Sequence, residues 1–320
     1  MNDLDEVVAA LKSAPSVAVL AHVHPEGDAI GATLGASLAF REAGKVTAAY
    51  NADPLPPGLS SLPGAADLLR EAPIGRPYAC YLVLDTSDLA RTGGLLDGRP
   101  AGAVVLNVDH HAGNTRFGDL NWVEPGASSA GEMVYRLLRR AGLPIGKAAA
   151  TNLYAAILTD TGSFQHSNTT PEALRAAADL VTCGAAVEEL AAGLYGNHDP
   201  REWLLLSAAL ASLTLCAGGR LAWIEVTSAA LQRVGLGLEA TEGFIDYVRN
   251  VGGIQIAMTF KEVSDREVRV SFRSRGNLDV ARLAKQFGGG GHRNAAGCTL
   301  NEPLPAARAR VLAAAEGLLI

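Results

Sequence analysis

The chain has 320 residues, which is more than one domain usually contains and enough for two. Its composition, 48% hydrophobic, 19% charged and 5% aromatic, excludes a disordered chain and predicts a globular protein with a sizeable core. A net charge of −6 argues against a protein that coats long nucleic acids by bulk electrostatics. No apolar run reaches the roughly 18 residues of a membrane span, the start MNDLDEVV is acidic, and C-x-x-C is absent. We therefore expect a cytoplasmic protein without membrane contact.

The first half of the chain alternates strand-like and helix-like segments. Residues 16–21, 79–84 and 103–108 are short, nearly continuous apolar runs, which are typical of strands buried on both faces of a parallel sheet. Helical spacing with glycine stop signals follows at 29–44 and 131–142, and helices continue at 151–158 and 171–184. The pattern predicts an α/β domain over residues 1–190, with a parallel sheet and helices on both of its faces.

The second half has a different pattern. An Ala/Leu-rich stretch at 203–215 suggests a connecting helix, and residues 191–215 are assigned to this connection. Strand-like runs follow at 221–226, 255–261 and 267–273, and then a helix at 279–287 that ends in a run of glycines. Residues 216–320 are therefore predicted to form a smaller α+β domain.

Polar residues with metal-binding chemistry follow the predicted strands of the first domain. Because the carboxyl ends of parallel strands share one edge, these side chains should meet in one crevice. Crowded carboxylates repel one another unless they are protonated or bind metal, and mixed imidazole and carboxylate donors suit Mn²⁺, Fe²⁺ or Zn²⁺. A single strand-end aspartate is more often a helix cap, but three strand ends with such residues favour a metal site. The residues concerned are His22, His24, Glu26 and Asp28, then Asp85, and then Asp109, His110 and His111, with Asp160 as a further carboxylate.

Two metal ions about 3.5–4 Å apart would activate a hydroxide for attack on phosphorus. Other hydrolase and nucleotide-binding patterns fail. His22-x-His24 is followed by Glu26 and Gly27, which does not continue the metallo-β-lactamase pattern. The sequence also contains no G-x-S-x-G elbow, no phosphate-binding P-loop and no complete G-x-G-x-x-G fingerprint.

The second domain contains a basic segment. Between Arg266 and Arg293 there are seven basic residues and two acidic ones. Four glycines precede His292, and their N–H groups are candidates for a nest that binds a phosphate or carboxylate. Arg273, Arg275 and Arg293 strengthen this expectation because guanidinium groups match phosphate oxygens. Either feature alone would more simply be a solvated face or a flexible loop.

Five ordered motifs resemble one family over essentially the whole chain. They are H-x-x-P-[DE]-G-D-A-x-G (22–31), V-L-D (83–85), D-H-H-x-x-N (109–114), T-D-T-G-x-F (159–164) and R-S…F-G-G-G-G-H-x-x-A-A-G (273–297). This set resembles the DHH/DHHA1 phosphoesterases, most closely their NrnA-type branch. The resemblance implies a parallel-sheet DHH catalytic domain followed by a DHHA1 substrate-binding domain.

The resemblance also implies a role for individual residues. One Mn²⁺ would bind His22, Glu26 and Asp85, and a second would bind Asp28, Asp85, His110 and Asp160, with Mg²⁺ or Co²⁺ as substitutes. Asp109 would orient His110, and His111 would face the scissile phosphate. The residues implied to bind substrate are Asn114, Arg273, Ser274, Arg275, Gly289, Gly290, Gly291 and His292. Glu26 departs from the aspartate that is usual in the family.

The implied activity is Mn²⁺-dependent hydrolysis of short RNA oligonucleotides (nanoRNA) to mononucleotides, with removal of the 3′-phosphate of 3′-phosphoadenosine 5′-phosphate (pAp). The expected partners are therefore short RNA and small nucleotides, not long nucleic acid, and a homodimer is implied. Cleavage of linear or cyclic dinucleotide messengers is an alternative, and so is a non-catalytic nucleotide sensor with a degraded metal site. Pyrophosphatases share the first-domain motifs, but their substrate has no base for the second domain to hold.

Overall fold

The computed structural model describes residues 4–72, 78–196 and 199–319. The chain divides into two compact units, residues 1–197 and 198–320, so the division falls inside the segment 191–215 that the sequence assigns to the connection. No helix in the described part of the chain is long and apolar enough to cross a membrane. The four cysteines are free thiols.

The first unit is built on a five-stranded, fully parallel sheet with the order β2-β1-β3-β4-β5. The α/β class predicted from the apolar runs is confirmed, and the sequence missed β2 and β5, which lie at the two edges. The strands are β1 (Ser16–Leu20), β2 (Val46–Tyr50), β3 (Cys80–Leu84), β4 (Val104–Asp109) and β5 (Leu120–Val123).

Five helices of this unit contribute to the core on one face of the sheet. Their buried side chains meet those of Val19, Leu82 and Val108. The sequence predicts helices on this second face too, but the core there contains no residue of an α-helix among the described residues. Shorter segments cover it and bring Tyr78 and Leu95 against the sheet. The helices of the unit are α1 (Leu4–Ser13), α2 (Gly27–Glu42), α3 (Ala130–Ala141), α4 (Lys147–Asp160), α5 (Pro171–Thr182) and the short α6 (Val187–Ala191).

The second unit contains a six-stranded sheet with the order β10-β11-β9-β8-β7-β6. Only the β7–β8 pair is parallel. The strands are β6 (Thr214–Cys216), β7 (Leu221–Val226), β8 (Ile256–Ser264), β9 (Glu267–Ser274), β10 (Gly290–His292) and β11 (Ala295–Leu300). The helices are α7 (Pro200–Leu210), α8 (Ser228–Val234), α9 (Phe244–Arg249), α10 (Val280–Lys285) and α11 (Leu304–Glu316).

This second sheet is covered differently on its two faces. On one face, Phe260 and Phe272 pack with α10 and α11. On the other face, Ile224 and Ala257 pack with α7, α8 and α9. A smaller α+β arrangement beside the parallel-sheet unit agrees with the fold class predicted from the sequence.

Two local expectations differ from the structure. The helix expected over 203–215 ends at Leu210, and β6 begins at Thr214. Ser212 explains the break, because its hydroxyl donates to the carbonyl of Ala209 and accepts from the N–H of Glu225. The end of α7 is thereby tied to β7, and the chain leaves the helix. The glycine run is not simply a loop, because part of it forms β10.

The packing of α2 against α4 generates a stability prediction. A Cβ atom on Gly31 would lie 2.5 Å from the backbone oxygen of Asn152, so Gly31→Ala would force the two helices apart. We expect the free energy of unfolding to fall by about 1–3 kcal/mol, measured by urea denaturation. Gly126→Ala is the control, since a Cβ there meets nothing within 4 Å. Equal unfolding midpoints for both variants would contradict this account of the packing.

Candidate metal centre

The site lies where the strand order reverses. The chain runs from β1 through α2 to β2 on one side, and then crosses to β3 on the other side of β1. In open parallel sheets, ligands bind at such a switch point, outside the carboxyl ends of the strands. His22 follows the end of β1 and Asp85 directly follows β3, while Asp109 is the last residue of β4. The structure therefore brings to one edge most of the residues that the sequence predicts to converge. His24 is the exception, because it is exposed and belongs to no donor cluster among the described residues.

The first cluster of possible metal donors contains His22, Glu26 and Asp85. Nε2 of His22 lies 3.3 Å from carboxylate oxygens of both Glu26 and Asp85. Its Nδ1 donates to the carbonyl of Val23 at 2.7 Å, which leaves Nε2 as the metal-facing nitrogen. Burial alone would lower the pKa of His22, but the two carboxylates raise it to about 10.

The second cluster contains Asp28, His110 and Asp160. Nε2 of His110 is 3.7 Å from Asp28 and 4.0 Å from Asp160. Burial, reinforced by the charges of Asp85 and Asp160, raises the pKa of Asp28 well above its usual range. Burial also raises the pKa of Asp160 to about 6, although His110 opposes the shift. Each carboxylate is therefore held near other negative charge with little water around it.

Asp85 is common to the two sides of the site. Its Oδ2 faces His22, and its Oδ1 lies 3.3 Å from Nε2 of His110 and 3.5 Å from Nδ1 of His111. Burial would raise the pKa of Asp85, but His110 and His22 hold it below its usual range. Its backbone φ of 51° is in the left-handed region, which is rare outside glycine and often found at functional sites.

The donor set fits a divalent metal cation. Oδ1 of Asp85 is buried and makes no hydrogen bond of good geometry with any of the described residues. The surrounding imidazoles and carboxylates are the donors that Mn²⁺, Fe²⁺ and Zn²⁺ accept. A cation would satisfy this oxygen and offset the mutual repulsion of the buried carboxylates.

The surrounding backbone and amides hold the carboxylates in place, and these contacts are not visible in the sequence. Both oxygens of Asp28 accept from backbone N–H groups at the start of α3, from Ala130 at 2.6 Å and from Gly131 at 2.8 Å. Asn168 donates to Asp160 at 3.2 Å, and buried Asn51 donates to the carbonyl of His22 at 2.9 Å. The one local sequence signal is the pattern Ser129-x-x-Glu132, which is typical of a capping box and marks the start of α3.

The predicted partner of Asp109 is wrong. Asp109 was expected to orient His110, but its Oδ1 accepts from Nδ1 of His111 at 2.8 Å. This hydrogen bond raises the pKa of His111, although burial acts in the opposite direction. The reason is local, because the chain turns after β4 and points the ring of His111 back towards its strand end. His111 keeps 41% of its side-chain surface exposed, so Nε2 is open to a ligand.

Asn114 also has a different environment from the expected one. Its amide donates to Oδ2 of Asp109 at 2.6 Å, to Oδ1 of Asn107 at 2.8 Å and to the carbonyl of Thr86 at 3.1 Å. Its own oxygen accepts from the N–H of Arg116. The side chain expected to bind substrate is thus occupied within the protein, where it fixes Asp109 and hence His111.

The predicted substrate residues of the second unit lie around the end of β9 and in β10. Strand register places His292 opposite Ala295, and Ala295 opposite Arg273, so these three residues face the same side of the sheet. Ser274 is buried, and its hydroxyl donates to the carbonyl of Leu278 at 2.7 Å. Arg275 is exposed.

The glycine nest differs from its predicted form. The N–H of Gly288 donates to Lys285 and that of Gly289 donates to Ala284, because the carbonyls at the end of α10 need partners. Gly290, Gly291 and His292 form β10, an edge strand paired with β11. Any anion contact from this run must therefore come from β10 and His292.

Asp85 generates a prediction about metal binding. Asp85→Asn removes a negative charge that faces both His22 and His110. We therefore expect the affinity for Mn²⁺ to fall by more than about 100-fold, which exceeds the loss that is usual when a residue that only contacts a metal ligand is changed. Isothermal titration of the EDTA-treated protein with MnCl₂ measures it. Asp97→Asn, an exposed aspartate in the loop before β4, is the matched control. An unchanged isotherm for Asp85→Asn would remove Asp85 from the donor set.

The sequence matches two family descriptions. Residues 16–157 match "DHH family, N-terminal domain" and residues 227–319 match "DHHA1 domain". A solved structure described as an exopolyphosphatase-related protein from Bacteroides fragilis has a TM-score of 0.88 to this chain and covers 98% of it and 95% of its own length. At 24% identity, this likeness shows the fold alone.

Curated relatives are similar over most of the chain. A Thermus thermophilus protein named bifunctional oligoribonuclease and PAP phosphatase NrnA is 36% identical over 88% of this chain and 83% of its own length. A Bacillus subtilis protein of the same name is 30% identical over 87% of each chain. The chain therefore belongs to the DHH/DHHA1 phosphoesterases, in their NrnA-type branch.

Proposed function

We propose that the protein hydrolyses short RNA oligonucleotides to mononucleotides and removes the 3′-phosphate of pAp, with two Mn²⁺ ions as cofactors. The observation that carries the proposal is Asp85 at the switch point of the sheet, which forms one donor cluster with His22 and Glu26 and another with His110 and His111. The cluster of Asp28, His110 and Asp160 adjoins them through His110. The names of the Thermus and Bacillus relatives specify the same two activities. A homodimer, which the family resemblance implies, and a cytoplasmic location, which the acidic start and the absence of C-x-x-C suggest, stay predictions.

His22, Glu26 and Asp85 would hold one ion, and Asp28, Asp85, His110 and Asp160 the other. Divalent cations in such a site lower the pKa of water and neutralise the charge that develops on the phosphoryl oxygens. Glu26 belongs to the first cluster although it is longer than aspartate and 54% exposed, and its Oε1 also accepts from the N–H of Ala29. A degraded site, which the sensor alternative requires, is therefore disfavoured.

His111 would act on the phosphate itself. The hydrogen bond to Asp109 fixes Nδ1 as the protonated nitrogen that faces the protein, so the exposed Nε2 faces outward. The raised pKa favours the imidazolium form, which donates a charge-assisted hydrogen bond from Nε2 to a phosphate oxygen. From the same atom, a proton can pass to the leaving oxygen.

Arg273, Arg275 and His292 would hold the terminal nucleotide. Arg273 and His292 face the same side of the second sheet, and Arg275 follows the end of β9. Because both Ser274 and Asn114 are hydrogen-bonded within the protein, we assign them to positioning and not to substrate contact.

The activity is tested directly with the purified full-length chain and Mn²⁺. We expect release of AMP from adenylate dinucleotide to tetranucleotide, and of inorganic phosphate from pAp, measured by anion-exchange chromatography. EDTA should abolish both reactions and excess Mn²⁺ should restore them. Metal-dependent binding of these compounds without turnover would instead support the sensor alternative.

Asn114→Ala tests the positioning of His111. It leaves Oδ2 of Asp109 without its amide donor, so we expect kcat on the dinucleotide to fall about 10- to 100-fold with little change in KM or in Mn²⁺ content. Asn121→Ala, which removes an amide that is hydrogen-bonded to Gly118 and to no other described residue, is the control and should leave kcat near the parent value. Loss of metal from Asn114→Ala would argue against a role through His111.

Arg273→Ala and His292→Ala test the nucleotide clamp. Loss of a charge-assisted contact to phosphate costs about 1.5–3 kcal/mol, so we expect KM for the dinucleotide to rise roughly 10- to 100-fold. Hydrolysis of bis-p-nitrophenyl phosphate, which has no nucleotide to hold, should stay near the parent rate. Equal losses on the two substrates would show that these residues serve the chemistry or the fold.

A further inference from the structure

The segment that follows β1, residues 22–24, is held by the loops on either side of it. β1 and β2 are paired in parallel, so the chain leaves both strands at the same edge of the sheet. The N–H of Val23 donates to the carbonyl of Arg91 at 2.8 Å. A Cβ on Gly93 would lie 2.6 Å from the side chains of both Ala52 and Val23, so three loops are closely packed here.

His24 has an unusual backbone conformation within this segment. Its φ of 55° is in the left-handed region, which is rare for a residue with a side chain and persists only where surrounding contacts hold it. The backbone N–H of His24 donates to Oδ2 of Asp53 at 2.6 Å. This hydrogen bond comes from the loop after β2 and opposes relaxation of the turn.

The peptide group between Val23 and His24 connects Asp53 to His22. Each peptide group has one N–H donor and one carbonyl acceptor. Here the N–H donates to Asp53, and the carbonyl of the same group accepts from Nδ1 of His22 at 2.7 Å. Two hydrogen bonds thus link the carboxylate to the imidazole whose Nε2 belongs to the first donor cluster.

Asn51 fixes the position of Asp53 in this arrangement. It directly follows β2 and is fully buried. Its Oδ1 accepts from the N–H of Asp53 at 3.0 Å, and its Nδ2 donates to the carbonyl of His22 at 2.9 Å. One amide side chain therefore binds both loops and sets the distance between Asp53 and the Val23–His24 peptide group.

A carboxylate that accepts from a peptide N–H polarises that peptide group. Hydrogen bonds in such a chain strengthen one another where little water is present, so the carbonyl of Val23 becomes a better acceptor for Nδ1–H of His22. In many metal sites a carboxylate accepts directly from the ligating imidazole, which fixes the ring and its tautomer and raises the basicity of the ligating nitrogen. In this protein a peptide group lies between the two.

We propose that Asp53 is a positioning residue for the metal ion at His22, Glu26 and Asp85, and that it acts on His22 through the Val23–His24 peptide group. The inference rests on the proposed function, because it explains how one ligand of that metal site is held. Nδ1–H of His22 stays directed at the protein, and Nε2 stays directed at the cation.

The test measures Mn²⁺ binding by isothermal titration of the EDTA-treated full-length chain. Asp53→Ala removes the acceptor for the N–H of His24, and Asp53→Asn keeps an oxygen acceptor without the charge. Asp119→Ala is the matched control, because Oδ2 of Asp119 accepts from the N–H of Val105 at 2.8 Å near the amino end of β4, away from the donor clusters.

We expect Asp53→Ala to bind one of its two Mn²⁺ ions about 10- to 100-fold more weakly, which is the usual loss when the partner of a metal-ligating histidine is removed. Because a charge-assisted hydrogen bond is roughly twice as strong as a neutral one, Asp53→Asn should lose only about 3- to 10-fold. Asp119→Ala should match the parent.

Three results would overturn the proposal: an unchanged isotherm for Asp53→Ala, equal losses for Asp53→Ala and Asp53→Asn, or equal weakening of both ions. Urea denaturation of the metal-free variants checks the fold. Should Asp53→Ala unfold at a lower urea concentration than Asp119→Ala, Asp53→Asn alone decides, and parent-like Mn²⁺ binding by that variant would then overturn the role of Asp53.

Two outcomes keep this inference separate from the function proposed above. If the parent protein binds Mn²⁺ but releases no AMP from the dinucleotide, the proposed function fails, and the isotherms still decide the role of Asp53. If the parent is active and Asp53→Ala binds Mn²⁺ as the parent does, only the role of Asp53 fails.

Discussion

The structure of the first unit depends on one buried carboxylate. Asp85 lies at the end of β3 in a left-handed backbone conformation, with one oxygen towards His22 and the other towards His110. Burying a carboxylate without compensation is costly, and here Asp28 and Asp160 add further negative charge nearby. The neighbouring carboxylates raise the pKa of both His22 and His110 to about 10, so the site around Asp85 strongly favours positive charge. Divalent cations would meet that demand.

The rest of the catalytic edge supports this arrangement from outside. The start of α3 directs two backbone N–H groups at Asp28, and helix N-termini stabilise negative charge. Asn114 and Asn168 do the same for Asp109 and Asp160 with neutral amide donors. None of these groups adds charge to the centre. They fix the carboxylates while leaving the charge balance to be completed by metal ions.

The second unit uses the opposite electrostatics on a different framework. Its mixed sheet buries aromatic side chains on the face covered by α10 and α11. Part of the other face is covered by α7, α8 and α9, and its β9–β11–β10 part carries Arg273 and His292 beside glycine and serine. The net charge of −6 hides this separation, because the acidic residues dominate the whole chain. A phosphodiester substrate suits both parts, since metal cations and the side chains of Arg273 and His292 both favour negatively charged oxygens.

Much of the fold and of the donor set was predictable from the sequence. Apolar runs identified β1, β3 and β4, and the rule that parallel strands share one carboxyl edge was enough to group His22, Asp85 and His110. The edge strands β2 and β5 were not predicted. Edge strands are less enclosed, so their apolar pattern is weaker. Similarly, the glycine run predicted a nest, whereas the carbonyls at the end of α10 take two of its N–H groups.

The sequence by itself therefore determined the fold class, the family and the chemistry of the metal donors, since these follow from periodicity and from residue types beside strand ends. Only the tertiary structure decided that Asp109 pairs with His111, that Asn114 is held inside the protein, and that α3 caps Asp28. Hydrogen bonds between residues as far apart as Asp28 and Ala130 depend on how helices pack, and local sequence does not encode that distance or direction.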